Sequence, residues 1–186
     1  TGDLLPMVMS QSGISKFSAT ELAKQLTGKN AYASVGVADY EHAVNAGGSP
    51  KDIETILQLI YLNFTDPRFD QTDLDNLKKM YVPYFVNMEK DPNYIASKQY
   101  IETVYGNHPR RQITNSKMFD GLTIERLANV HKMLFSYAND FRFVIAGNVD
   151  LNTLKPLVEK YIGSLPTAKQ SQYSVQDDGV RVVKGE

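Results

Sequence analysis

Residues 141–166, FRFVIAGNVDLNTLKPLVEKYIGSLP, restrict the fold more than any other stretch of the chain. The run Phe141–Ala146 is largely apolar and rich in β-formers, and it stops at the turn pair Gly147-Asn148. Asp150 then stands in an N-cap position. Leu151, Leu154, Leu157, Val158 and Tyr161 fall on one helical stripe, which Gly163 and Pro166 end. The expectation is a buried strand, a tight turn and an amphipathic helix laid back on that strand.

The rest of the chain is mostly helical in pattern. Leu4–Met9 is short and apolar and reads as the end of a helix. Ser18-Ala-Thr-Glu21 is a capping box, and the helix it opens should end at Gly28. Residues 30–38 and 40–48 alternate in polarity and read as a hairpin or two adjacent strands. Ser49-Pro50-Lys51-Asp52 starts a helix with Ile53, Ile56, Leu57, Ile60, Tyr61 and Phe64 at helical spacing. Asp70 opens a long helix with Leu74, Leu77, Tyr81, Tyr84, Phe85 and Met88, in which Pro83 should produce a kink. Asp91-Pro92 starts another helix, Gly106–Arg110 is a loop, and Thr123 caps a helix through Leu127, Val130, Leu134 and Tyr137. Residues 167–178 are polar and loop-like, and Val180–Val183 reads as a strand. Few strands and many helices, without strict alternation, predict an α+β fold. Its sheet is largely antiparallel and twisted, with helices packed on one face.

Composition removes several classes of function. The 20 basic residues against 21 acidic ones leave a net charge of −1, so no basic field exists to hold nucleic acid. The absence of cysteine excludes disulfides, thiolate nucleophiles and Cys-ligated metal. No apolar run approaches the roughly 20 residues of a membrane span. Both ends read as cuts from something longer, so residues 1–186 are expected to be one partial domain.

Several phrases occur in a fixed order: SGISKFSATELAKQL (12–26), SPKDIETILQLIYLNFTDPRFD (49–70), YGNHPRRQ (105–112), HKMLFSYANDFRFVIAGNVD (131–150) and YIGSLP (161–166). Together they resemble a domain of the pitrilysin/insulinase family of zinc metallopeptidases over almost the whole chain. The resemblance implies paired, similar halves closing like a clamshell around an unfolded peptide. One half binds zinc through His-x-x-Glu-His on a helix and a Glu on a later helix. Two His four apart share a helix face and can hold one metal, and the Glu between them is free to act as base on the metal-bound water. By order of elements that motif would fall in Leu4–Met9, where Leu-Leu-Pro-Met-Val-Met stands instead. On the later helix only Glu89 is near, at its end. The resemblance therefore implies the non-catalytic half, with no metal or catalytic residue of its own. Zinc would belong to a catalytic half on the same chain or on a partner subunit. Family habit implies a bacterial periplasmic setting.

One binding element carries over. In catalytic halves an Asn-Ala-containing edge strand lends main-chain hydrogen bonds to the peptide by strand addition. The matching residues are Asn30, Ala31, Tyr32, Ala33 and Ser34. The alternative is a catalytically silent assembly domain that binds protein partners, as in relatives within larger complexes. A polar open sheet face favours the chamber role, and a contiguous apolar face favours assembly. A generic α+β binding module leaves the ordered phrases unexplained.

Other residues read as structural. His42, His108 and His131 lack a second ligand nearby in sequence and read as surface or hydrogen-bonded histidines, with His131 packing or capping and His108 orienting a turn. Arg110-Arg111 reads as a solvated loop pair rather than a carboxylate clamp. Gly47-Gly48 ends a strand and lacks any phosphate-loop pattern. The tyrosines sit mostly at helical core spacing with hydroxyls at the rim. Ser12, Ser15 and Ser18 have no His or Lys arranged with them, so no serine nucleophile is expected.

Overall fold

A computed structural model describes residues 2–168 and 177–184. The expected loop at 167–178 thus falls mostly outside the described residues. The chain divides into two compact units. One holds the residues up to Leu74 together with those from Thr123 onward through the last helix, and the other holds Asp75–Leu122 with residues 177–184.

The first unit is built on an antiparallel hairpin, β1 (Ala31–Val37) and β2 (His42–Gly48), in a register running from Ala31 opposite Gly48 to Val37 opposite His42. Helices α1 (Leu5–Ser12) and α3 (Ile53–Thr65) pack against the hairpin. Helices α2 (Ala19–Gln25), α6 (Ile124–Phe135) and α7 (Leu151–Tyr161) complete the unit. This is the expected α+β arrangement of an antiparallel sheet with helices laid on it. Gly48 closes the hairpin at φ +153°, where a Cβ would lie 1.9 Å from the Asn30 carbonyl oxygen. Only glycine fits so close an approach of two backbones.

Local chemistry explains where the helices begin. Ser18 and Glu21 form the capping box in full: the Ser18 hydroxyl accepts from the Glu21 amide at 3.4 Å, and the Ser18 amide donates to Glu21 Oε2 at 2.9 Å. These bonds from Ser18 hold the Glu21 carboxyl below its usual range. Asp150 caps α7 through the Thr153 amide at 2.9 Å, and Thr123 caps α6 through Arg126. Leu4–Met9 forms the start of α1 rather than the end of a helix, because Pro6 sits in the first turn, where its missing amide donor is harmless.

The core gathers on α1, α3 and α6. Leu5, Val8, Leu57, Leu127 and Phe135 are almost fully buried. The buried stripe of α6 is Leu127, His131 and Phe135, rather than the expected line through Val130 and Leu134. Phe64, Phe135 and Phe141 meet edge to face or stacked, with centroids 4.8 to 6.2 Å apart, and His42 joins them at 5.0 Å from Phe141. Burying one such ring contributes on the order of 2–3 kcal/mol.

Two further sequence expectations fail in this unit. Phe141–Ala146 is not a hydrogen-bonded strand and is not buried: Val144 is 80% exposed and Ile145 42%. A strand needs a partner backbone, and among the described residues the sheet ends at β2. In α7 the expected stripe is half-buried at Leu154, Leu157, Val158 and Tyr161, but Leu151 is exposed.

The second unit holds most of α4 (Gln71–Met88) and all of α5 (Pro92–Tyr105). Leu77, Phe85, Tyr94, Phe119 and Leu122 are its buried residues, with Tyr81 stacked on Phe119 at 6.4 Å. Asp91 caps α5 through Asn93, and Gly106 ends it in the left-handed region. Glu89, just past the end of α4, has a hydrogen-bond partner. Its Oε1 accepts from the Ser116 amide at 2.6 Å, a bond that lowers its pKa. Val180–Val183 is not a strand; the Val183 amide donates to the Val104 carbonyl instead. Tyr84 and Tyr100 are exposed rather than core residues, as is Tyr137 in the first unit.

Candidate functional site

The place that would carry a zinc motif is filled by core. Leu5, Val8 and Met9 have the i, i+3, i+4 spacing of two His and a Glu, so they share one face of α1. Their exposures are 0%, 1% and 7%, so that face is committed to packing. Among the described residues no group of three or more His, Cys, Asp or Glu side chains could hold a metal ion.

The five expected peptide-binding residues lie along the start of β1, and their roles differ. Asn30 is tied down on both sides: its amide donates to Asp52 Oδ2 at 2.9 Å, and its carbonyl accepts from the Ser49 amide at 2.8 Å. At the hairpin's other end Ala38 donates to the Glu41 carbonyl. Antiparallel hydrogen bonding alternates, so the register places Tyr32, Ser34 and Gly36 in the bonded pairs with β2. The backbone groups of Ala31, Ala33 and Val35 then point to the free edge. No strand pairs with that edge among the described residues.

A groove of about 300 Å³ runs along this edge, walled by Pro6 and Met9 of α1, Leu22 and Leu26 of α2, and β1 itself. Ala31 and Ala33 turn small side chains toward the helices, which leaves the edge sterically open. On the opposite face the register brings together Tyr32 with Gly47, Ser34 with Asn45, and Gly36 with Ala43. Tyr32 is 59% exposed and its ring lies across Gly47. This open face is therefore small and polar, with one aromatic ring.

The histidines are structural. His131 Nε2 lies 2.8 Å from the Asn63 carbonyl oxygen, and burial lowers the ring's pKa. Burial likewise lowers that of His42 against the opposing charge of Asp140. His108 Nδ1 accepts from the Arg110 amide and so orients its turn. The Arg111 guanidinium lies over the Tyr105 ring. Sequence reasoning missed the contact between Glu54 and α7, where Glu54 Oε1 accepts from the Tyr161 hydroxyl at 2.8 Å and from Lys160 at 3.1 Å. No local signal joins residues so far apart in sequence.

The hairpin backed by helices is an α+β arrangement similar to that of solved proteases and of a solved peptidase M16 inactive domain. The family model of the Peptidase M16 inactive domain matches residues 121–185. The probable zinc protease PqqL of Haemophilus influenzae is 21% identical over 173 residues, covering 90% of this chain and 18% of that protein. The solved periplasmic protease PqqL from Escherichia coli matches 98% of this chain and 20% of its own, with TM-score 0.79 and 20% identity. A peptidase M16 inactive domain from Pseudomonas fluorescens matches 90% of this chain and 42% of its own, with TM-score 0.61 and 20% identity. Residues 121–185 are thus similar to an M16 inactive domain, and the chain as a whole is similar in sequence and fold to zinc proteases of that kind. It spans 18% of the length of the H. influenzae relative.

Proposed function

We propose that this chain is one partial domain of a longer zinc protease, in which it forms a wall of the substrate chamber opposite a catalytic half. The zinc and the general base come from that half, on the same polypeptide or on a partner subunit. The substrate is an unfolded peptide. The site of action is the periplasm, the compartment of the E. coli protease to which the fold is similar. Among the described residues no helix is long and apolar enough to cross a membrane.

The observation that carries this reading is the free β1 edge beside an open groove. Ala31, Ala33 and Val35 offer main-chain donors and acceptors there, and extended peptides add to such edges without demanding a particular side chain. Tyr32 and Ser34 line the open face rather than the edge, and Asn30 anchors the strand to the turn at Asp52. Catalytic halves that carry His-x-x-Glu-His should turn over an unfolded peptide faster when this chain is added. Unchanged turnover counts against the chamber role. The assembly reading requires a contiguous apolar open face on the hairpin, and the polar pairing of Ser34 with Asn45 speaks for the chamber instead.

A further inference from the structure

The groove beside β1 has walls that its own core does not use. On α2 and its C-cap, Ala19, Leu22, Ala23 and Leu26 all line it, at the i, i+3, i+4, i+7 spacing of one helix face. A stripe of that kind ordinarily faces a core, yet no residue of α2 is buried, and Leu22 and Leu26 are only half-buried. Pro6 and Met9 of α1 form the opposite wall, and the buried side chains of Val35 and Leu59 complete the lining. Among the described residues that line the groove none is charged. A lysine or a carboxylate brought there would lose its water without gaining a counter-ion.

The pleat of a strand fixes what an added peptide presents to these walls. Residues directly opposite each other in a sheet carry their side chains on the same face, so guest residues opposite Ala31, Ala33 and Val35 turn toward the helices. The alternate guest residues stand beside Tyr32 and Ser34, which are exposed on the open face. The small side chains of Ala31 and Ala33 leave the volume of about 300 Å³ to the guest. That is roughly ten times one water's share of the liquid, room for two large side chains at positions i and i+2, which a strand sets about 7 Å apart.

We propose that the groove is a side-chain subsite that selects extended peptides with bulky, uncharged apolar residues at positions i and i+2 and a small or polar residue between them. The inference rests on the reading that β1 receives a peptide, and it adds what that peptide carries. The β1 main chain binds without regard to sequence, whereas Pro6, Met9, Leu22 and Leu26 make the choice. Segments with a charge at either groove-facing position are rejected by the cost of desolvation. The selected pattern is that of a half-buried strand, which a folded protein keeps covered and an unfolded one exposes. The subsite thus directs the chamber toward unfolded strand segments.

Residue-resolved amide hydrogen exchange on the full-length polypeptide, with a chelator present to stop hydrolysis, separates the two claims. The Ala33 amide points to the free edge, so any strand that adds there protects it, whatever its side chains. The probes are twelve-residue peptides of serine and threonine with a central Leu-Ser-Leu, Ala-Ser-Ala, Asp-Ser-Asp or Lys-Ser-Lys. Leu-Ser-Leu should half-protect Ala33 at a concentration about tenfold or more below that of Ala-Ser-Ala, and the charged pairs should need more still. Leu-Leu-Ser has the same composition but puts one leucine on the open face, and it should lose most of that gain. Equal protection by all the peptides overturns the subsite and leaves strand addition standing. If no peptide protects Ala33, strand addition falls and the subsite falls with it. Ala33→Leu supplies a second test, because it keeps the edge amide and fills the groove. In that variant the advantage of Leu-Ser-Leu, read at Ala31, should shrink to about threefold or less. An advantage that stays near tenfold in a variant with unchanged Tm overturns the assignment to this groove. The peptide comparison itself needs no substitution and decides the matter even where the variant folds poorly.

Discussion

His131→Leu probes how a buried histidine closes the end of a helix. Asn63 lies in the last turn of α3, and its carbonyl would ordinarily accept from the amide four residues on. That residue is Pro67, which has no amide hydrogen. The Asn63 carbonyl therefore takes its hydrogen from His131 Nε2 at 2.8 Å, which fixes the neutral tautomer with the proton on Nε2. Asn63 and His131 are only 6% and 4% exposed, so solvent does not replace the lost donor. Leaving a buried carbonyl unsatisfied costs about 1–3 kcal/mol, which for a chain of this size lowers Tm by roughly 2–12 °C. The pH dependence is a second readout. Burial lowers the folded-state pKa of His131 below the usual histidine value, with the bond to Asn63 opposing it. The unfolded chain then binds the proton more readily than the folded one. Stability is full above the unfolded value of about 6.5 and declines as pH falls through the lower folded value, at no more than about 1.4 kcal/mol per pH unit for one group. Thermal melts at pH 7.5 and 5.5 should show His131→Leu less stable at the higher pH and less sensitive to acid, with His42 supplying the remaining dependence. His131→Gln, which keeps a donor but does not titrate, should recover part of the loss at pH 7.5 and none of the acid sensitivity. Equal acid sensitivity in wild type and both variants refutes the assignment.

Further outcomes follow from the same contacts. Leu5→His with Met9→His restores the ligand spacing but places two imidazoles in the core; unfolding should become easier by about 3 kcal/mol or more, and equilibrium dialysis should find no tight zinc. Ala33→Pro removes one edge donor, and peptide affinity, read by fluorescence anisotropy, should weaken by roughly twofold to twelvefold. Ser18→Ala dismantles the capping box of α2 and should destabilise the chain by about 0.5–2 kcal/mol in urea titration. Phe135→Ala empties the centre of the aromatic cluster and should cost about 3–5 kcal/mol by the same titration.

The features that were legible in the sequence are the ones decided within a few residues. Ser18-Glu21, Thr123, Asp150 and Asp91-Pro92 each start a helix where their chemistry places it, because a cap is satisfied by amides two or three positions away. The hairpin was legible for the same reason, since residues 38–41 bring its strands together. The aromatic stripes were less so. Tyr84 and Tyr100 have helical spacing but lie on the exposed side, because periodicity marks a face without saying which face the neighbouring elements cover. The His131–Asn63 bond joins positions 68 apart in sequence, and only the missing amide of Pro67 hinted that a donor had to come from elsewhere.

Phe141–Ala146 shows where local reading stops. Its composition is that of a central strand, and its side chains alternate as in one, yet no backbone among the described residues pairs with it. β-propensity measures how well a residue fits a pleated, half-buried surface, so it reports a demand for neighbours rather than their presence. Leu4–Met9 makes the complementary case. Its residues satisfy their demand completely, with Leu5 and Val8 sealed in the core, and that satisfaction excludes a metal from this face. The same sheet-and-helix framework thus holds one site closed by packing and one edge left open by the lack of a partner.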